Sequence, residues 1–240
     1  MRLAVLSDIH GNYDALRAVL SALDGELIDT YACLGDIVGY GPQPAECIRE
    51  IQKYDCIVIA GNHDCAVADT TCMETFNSLA KEAILWTRGR LAEEEVNFLS
   101  RLPLVESVYG AQLVHGTLYA PELFDYVKTS YDAHLSMQKM RGTLCFVGHS
   151  HVPVAFVEGD VISYCLEQTV RLEPGRRVLF NVGSVGQPRD KDPRACCAIY
   201  DSDEQTIKLM RVRYSVESVI AKIREAGLPA PLGERLRVGR

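Results

Sequence analysis

Five of the six histidines fall in short polar motifs, and each motif follows an apolar, strand-like run. The motifs are Asp8-Ile9-His10, Gly35-Asp36, Gly61-Asn62-His63-Asp64, His115-Gly116 and Gly148-His149-Ser150-His151. Asp8, His10, Asp36, Asn62, His115, His149 and His151 together offer donors of mixed oxygen and nitrogen type. That set is too large for one ion. Two ions sharing a carboxylate and a hydroxide would use it fully, and such pairs lie roughly 3.5–4 Å apart in two-metal hydrolytic sites. Imidazole with carboxylate suits manganese, iron, zinc, cobalt or nickel better than magnesium or calcium, and the lack of a thiolate argues against a closed structural zinc. His134 lies apart, in a helical stretch, and receives no site role.

Taken singly, these residues have plainer readings. His115 could be a hydrogen-bonded core histidine, Asn62 a turn residue and Asp8 a helix cap. A cluster of His and Asp donors at several strand ends, however, has little structural use without an ion. In extended backbone, residues i and i+2 project to one side, which predicts that Asp8 and His10 point into a common site, as do His149 and His151. The neighbouring glycines let the chain turn tightly and approach closely.

The elements that must position these loops are read from periodicity. An apolar run at 2–7 is followed by Leu16, Val19, Leu20 and Leu23 at helical spacing, with Asn12 as N-cap and Gly25 as stop. A strand at 28–34, a helix at 44–53 and a buried strand at 56–60 repeat the cycle, which predicts parallel βαβ architecture. Helices are expected at 74–86 and 93–99, the latter with Glu93, Glu94 and Glu95 as a solvated first turn. Beyond Pro103 the pattern changes to short strands at 104–109, 112–114, 144–147, 152–157, 178–181, 195–200 and 205–212. A helix carrying Val216, Val219, Ile220 and Ile223 ends before Gly227 and Pro229. In an open α/β sheet, ligands bind beyond the carboxyl ends of the strands, where these motifs fall.

The 240 residues, 48% hydrophobic and 24% charged, describe an ordinary globular chain, and no repeat or linker divides it, so a single domain over 1–240 is expected, with a C-terminal helix and tail from about 215. The net charge of −7 argues against a surface that tracks extended nucleic acid, while leaving room for a small anionic substrate. No apolar run reaches membrane-spanning length, and residues 1–8 lack the long apolar stretch of a secretory signal, so no membrane partner and a cytoplasmic location are expected. The nine cysteines form no Cys-x-x-Cys pair, and Cys33, Cys56 and Cys145 lie in apolar runs, as reduced core thiols do. Oligomeric state leaves no mark in the sequence.

The order and wording of the five motifs resemble the calcineurin-like metallophosphoesterase superfamily, especially its small prokaryotic phosphodiesterase branch. Asn181-Val182-Gly183-Ser184-Val185-Gly186-Gln187-Pro188-Arg189 is similar to the Gly-Ser loop and arginine of that branch, and Gly227-Leu228-Pro229 and Arg235-Leu236 also look like it. The resemblance implies a four-layer α/β/β/α sandwich of two mixed sheets flanked by helices. It also implies two divalent or trivalent transition-metal ions, manganese first and iron, zinc, nickel or cobalt as the others. One ion would be held by Asp8, His10, Asp36 and His151, the other by Asp36, Asn62, His115 and His149, with Asp36 as the bridge. His63 would contact the phosphate and protonate the leaving oxygen, with Asp64 orienting it. The expected activity is hydrolysis of a small phosphoester or nucleotide by a metal-bound hydroxide; the alternative is a catalytically silent scaffold of the same fold.

Two divalent ions bring about +4, two carboxylates and a hydroxide remove about 3, and roughly +1 remains where a phosphate would dock. The helix beginning beyond His10 could direct its N-terminal amides at the same anion. Tyr40 either borders the substrate pocket or packs in a glycine-rich turn, and Arg189 either clamps phosphate or ion-pairs at the surface. Gly35-Asp36 continues Ile37-Val38-Gly39-Tyr40, where serine/threonine phosphoprotein phosphatases and symmetrical dinucleoside-polyphosphate hydrolases carry an arginine. This departure favours a small phosphodiester, a nucleotide monoester or an asymmetrically cleaved dinucleoside polyphosphate.

Overall fold

The computed structural model describes residues 1–240. Strands β1 (Arg2–Leu6), β2 (Thr30–Cys33) and β3 (Ile57–Val58) pair in parallel, joined by α1 (Tyr13–Leu23) and α2 (Pro44–Lys53). Asn12 caps α1 by accepting the Ala15 N–H at 3.1 Å, and Leu16, Val19, Leu20 and Leu23 form its buried face. Pro44 opens α2 at a position where its missing N–H costs nothing.

Helices α3 (Asn62–Ala68), α4 (Ser78–Arg88) and α5 (Glu93–Ser100) lead to the second sheet. That sheet begins with β4 (Val105–Val108) and β5 (Ala111–Val114), crosses over through α6 (Ser130–Met137) to β6 (Leu144–Val147), and continues with β7 (Val154–Val157) and β8 (Ser163–Cys165). The chain returns to the first sheet as β9 (Thr169–Arg171), to the second as β10 (Val178–Asn181), and completes the first as β11 (Ala195–Asp201) and β12 (Thr206–Val212). Helices α7 (Val216–Glu225) and α8 (Ala230–Glu234) close the fold. The strand orders are β3-β2-β1-β11-β12-β9 and β4-β5-β6-β10-β7-β8, so both sheets are mixed.

Side-chain alternation sorts the layers. Leu3 and Val5 of β1 and Cys196, Ala198 and Tyr200 of β11 meet Leu144 and Phe146 of β6 between the sheets. Their strand neighbours Ala4, Leu6, Cys197 and Ile199 face the other way, against Leu16, Val19 and Leu20 of α1. Cys145 and Val147 pack on Ala133 and Met137 of α6. This is the expected α/β/β/α sandwich. Phe146, fully buried in the central layer, contributes about 2–3 kcal/mol by removal from water. No helix is long and apolar enough to cross a membrane.

Several boundaries differ from the periodicity reading. Helix α3 starts on Asn62, where only a loop is expected, because Asp64 accepts the Gly61 N–H at 3.1 Å and closes the turn. The helix expected at 74–86 begins at Ser78, since Asn77 accepts the Ala80 N–H at 3.0 Å, and a 3₁₀ turn fills Thr70–Met73. Strand β3 has two residues rather than five. Strands β8 and β9 are unheralded, being three residues long and largely exposed.

Candidate metal centre

The carboxyl ends of β1, β2, β3, β5, β6 and β10 converge on one edge, and every candidate donor sits in the loop that follows one of the first five. Backbone hydrogen bonds lash these loops together beyond the sheets. Asp8 N–H donates to Gly35 O at 3.0 Å, His10 N–H to Asp36 O at 2.8 Å, Gly148 N–H to His115 O at 2.9 Å and Gly186 N–H to Asp8 O at 2.9 Å. The backbone is not extended there, contrary to the i, i+2 argument. Asp8, His10, Asp36, His149 and His151 all have φ between 50° and 64°. Left-handed residues of this kind cost about 1–3 kcal/mol each and persist only where the surroundings fix them. The side chains converge through these sharp turns.

His10, His115 and His151 are oriented alike. Each ring offers Nδ1 to a backbone carbonyl: Val38 O at 3.1 Å, Leu34 O at 2.7 Å and Gln187 O at 2.6 Å respectively. A carbonyl only accepts, so Nδ1 carries the proton and Nε2 turns a lone pair inward. His10 Nε2 then stands 3.1 Å from His151 Nε2, and His115 Nε2 stands 3.1 Å from His149 Nδ1. In the His10–His151 pair, where both Nδ1 protons go to carbonyls, two nitrogen lone pairs at that separation repel unless a cation lies between or beside them.

Asp36 lies between the two histidine pairs. Its Oδ1 accepts the His63 N–H at 2.8 Å, while Oδ2 is 3.6 Å from His10 Nε2 and 3.4 Å from His115 Nε2. Asp8 Oδ2 accepts the His149 N–H at 3.0 Å, and its Oδ1, 3.2 Å from His151 Nε2, is buried without a hydrogen-bond donor. Asn62 Oδ1 is likewise buried and unpartnered. Acceptors left bare in a buried site cost about 1–3 kcal/mol each, so their presence with inward lone pairs fits a metal-binding cradle. Six of the seven candidate donors fall in tight clusters, and Asn62 lines the same cavity. The clusters Asp8–His10–His151 and Asp36–His115–His149 each gather their ligand atoms within 4.8 Å, as does a third cluster, His10–Asp36–His63.

The electrostatics favour positive charge at the same point. Burial pushes the His115 imidazole down, but Asp36 and Asp8 hold it at about 9, so at neutral pH a proton occupies its inward Nε2 wherever no other cation does. Burial pushes Asp36 up, yet His115, His63 and His10 bring it well below the ordinary carboxylate range. Burial, reinforced by His115, takes His149 down to about 3.

His63 stands at the rim on the second residue of α3, its ring 4.5 Å from Tyr40, 4.8 Å from His10 and 4.9 Å from Phe76 between centroids. Its Nδ1 is buried without a partner, and a Cβ on Gly39 would lie 2.5 Å from that atom. Asp64 does not orient His63. Its carboxylate accepts the N–H groups of Ile37, Val38 and Gly61, pinning the Asp36 loop to α3. Around the start of α1 the Gly11, Asn12 and Ala15 amides are engaged within the protein, on Ile37 O, Ile9 O and Asn12 Oδ1 respectively.

Tyr40 packs between the His10 and His63 rings and also lines a cavity of about 680 Å³ that contains Asp36, Asn62, His63, His149, His151 and Arg189. Arg189 makes no surface ion pair. It faces the cavity, with Nη2 on Gln187 Oε1 at 2.8 Å and Nε buried without an acceptor. Phe124 and Tyr126 complete the opposite wall, and Tyr126 stacks on His149 at 3.9 Å and 13°. Sequence reasoning missed this aromatic cover because its loop, after β5, has no periodicity.

The comparisons agree with this geometry. An uncharacterized protein of Methanocaldococcus jannaschii is 39% identical over 243 residues, spanning 99% of this chain and 98% of its own. A symmetrical bis(5'-nucleosyl)-tetraphosphatase of Baumannia cicadellinicola is 30% identical over 104 residues, 42% of this chain and 36% of its own. The crystal structure of a metallophosphoesterase from Sphaerobacter thermophilus superposes with a TM-score of 0.89 at 37% identity, covering 100% of this chain and 99% of that one. The model of the calcineurin-like phosphoesterase superfamily domain matches residues 1–205. The chain therefore belongs to the calcineurin-like phosphoesterase superfamily.

Proposed function

We propose that the protein is a phosphoric ester hydrolase working with two transition-metal ions, one held by Asp8, His10, Asp36 and His151 and the other by Asp36, Asn62, His115 and His149. The observation that carries this reading is the pair of facing imidazole nitrogens, His10 with His151 and His115 with His149, with a free oxygen of Asp36 between them. Nitrogen and oxygen donors without thiolate favour manganese, with iron, zinc, nickel or cobalt as alternatives. When bound, two such ions supply Lewis acidity and a nucleophilic hydroxide at neutral pH.

The chain's own residues do the rest. Asp36 holds its bridging oxygen in place through the His63 amide on the other. His63 faces the cavity from the rim, placed to hydrogen-bond a phosphoryl oxygen and to give a proton to the leaving group. Arg189 brings a guanidinium without a carboxylate partner to the cavity, where it can meet an anionic group of the substrate, and Tyr40 walls the site. A cavity of about 680 Å³ suits a nucleotide or small phosphodiester. All nine cysteines are unpaired, which fits a reducing, cytoplasmic setting.

The test is metal analysis of the purified protein together with a screen of mono-, di- and dinucleoside phosphate esters under manganese, nickel, iron and zinc. Two equivalents of metal and turnover of at least one ester class are expected. Metal-free protein that neither takes up manganese nor cleaves any ester would instead mark a silent scaffold.

A further inference from the structure

Five arginines of this chain are half-buried: Arg2, Arg177, Arg189, Arg211 and Arg235. Three of them meet carboxylates, Arg2 with Glu26, Arg177 with Glu158 and Arg211 with Asp190. Arg189 and Arg235 have none, although the chain carries net negative charge. They converge on one neutral acceptor instead. Arg189 Nη2 donates to Gln187 Oε1 at 2.8 Å, and Arg235 Nη1 donates to the same oxygen at 3.2 Å. Each guanidinium carbon lies 5.9 Å from the centre of the Tyr40 ring.

Gln187 is buried and fixed, its N–H on Ser184 Oγ at 2.8 Å and its carbonyl oxygen on His151 Nδ1 at 2.6 Å. Arg235 is carried to this point by the tail beyond α8, where Leu232 and Leu236 bury against Tyr40 and Val219. Two like charges held together on one amide oxygen repel, and burial together with Arg189 pushes the Arg235 guanidinium below its ordinary value. Each guanidinium donates one hydrogen bond to Gln187, so the pair's donors are not exhausted. Such an arrangement is stabilised by an anion with several oxygens, which planar guanidinium forks recognise well.

We infer that Arg189 and Arg235, set on Tyr40 and joined by Gln187, form a second phosphate subsite, so that the preferred substrate carries another phosphate beside the one attacked. The Tyr40 ring, 4.5 Å from that of His63, places this subsite one side chain away from the metal centre. The substrate class is an organic pyrophosphate or polyphosphate, such as a nucleoside diphosphate or a dinucleoside polyphosphate, rather than a simple monoester. This deepens the proposed hydrolase reading and rests on it for the position of the scissile phosphate.

Two uncleavable probes separate the possibilities: methylenediphosphonate, with two phosphoryl groups, and methylphosphonate, with one. Each is titrated calorimetrically into manganese-loaded wild type, Arg235→Gln and Arg235→Lys, with thermal melts confirming that the variants fold. The inference predicts that wild type prefers the two-phosphoryl probe, that Arg235→Gln shrinks this preference roughly 10–100-fold, the scale of one charged hydrogen-bonding pair, and that Arg235→Lys restores part of it. An equal loss of affinity for both probes would show that Arg235 only supports the fold of the site and would overturn the inference. So would no preference in wild type, or a preference that survives Arg235→Gln. Because binding is read, a protein that cleaves no ester would still reveal the subsite, which keeps failure of the hydrolase reading distinct.

Discussion

His63 illustrates how tightly single residues are constrained at the rim. Its backbone N–H holds the Asp36 carboxylate, while the residue lines the cavity. Replacing His63 by alanine removes the ring and spares the amide, so metal content should stay at two equivalents while kcat falls roughly 10²–10⁴-fold. Atomic absorption paired with steady-state kinetics checks both halves, and unchanged turnover would remove the proton-donor role. Gly39 is the companion case. Its φ is +88°, and any Cβ there runs into His63 Nδ1. Gly39→Ala should therefore lower stability by about 1–3 kcal/mol in denaturant melts and depress kcat by displacing His63, with metal content again retained. The candidate donors were legible in the sequence because His and Asp directly after apolar runs are conspicuous. Their left-handed backbone was not, since Asp and His in that conformation look no different from Asp and His in extended chain. Arg235 could not be found at all, as its meeting with Arg189 depends on how the tail folds back.

At the scale of elements, the loop from β10 to β11 carries Gln187 and Arg189 and needs an anchor of its own. Asp192 supplies it, accepting two hydrogen bonds from the Arg194 side chain and one from its backbone N–H, with Arg211 of β12 beside it and bound to Asp190. The Arg194 hydrogen bond holds the Asp192 carboxyl down at about 2, against an ordinary value of 3.8. A depressed carboxylate contributes stability that is fully present above the unfolded value and is lost as pH falls through the folded one. Asp192→Asn should thus destabilise by about 0.5–1 kcal/mol at pH 7, the scale of a solvent-screened pair, with the gap to wild type narrowing between roughly pH 4 and pH 2. Urea melts across that window read the gap, and a constant difference would exclude the ionic contribution. Strands and helices with a long buried face, such as α1 and β11, announced themselves through period and composition. Helix α3 did not, because its N-cap is Gly61 and only seven residues follow, and β8 and β9 did not, because Ser163, Tyr164, Thr169 and Arg171 are exposed and leave no alternation to read.

For the molecule as a whole, metal and fold are thermodynamically linked. The candidate donors come together only when both sheets are in place, so the proposed ions would bind the folded chain and not the unfolded one. Manganese at roughly 100 times Kd should add about 5 kcal/mol for two sites, and in a chain of this length raise Tm by about 10–20 °C. Asp36→Asn, which removes the shared oxygen anion, should bind fewer than two equivalents and lose more than half of that rise in a thermal melt. Equal metal-induced shifts in wild type and variant would show that Asp36 is not shared. The layered architecture was legible from the change of pattern at Pro103, whereas the exchange of β9 and β10 between sheets was not, since neighbours in a sheet are chosen by packing across the interior rather than by local sequence.

Strand β1 lies between β2 and β11, and its Arg2 pairs with Asp201 from the far end of the chain. The central strand of the first sheet therefore takes one neighbour, β11, from a segment distant in the chain. Such high contact order makes chain closure slow, on a scale of milliseconds to seconds or longer. Asp8, one turn beyond that strand, is consequently among the last donors to be locked, and ion capture during refolding should trail the appearance of helical structure.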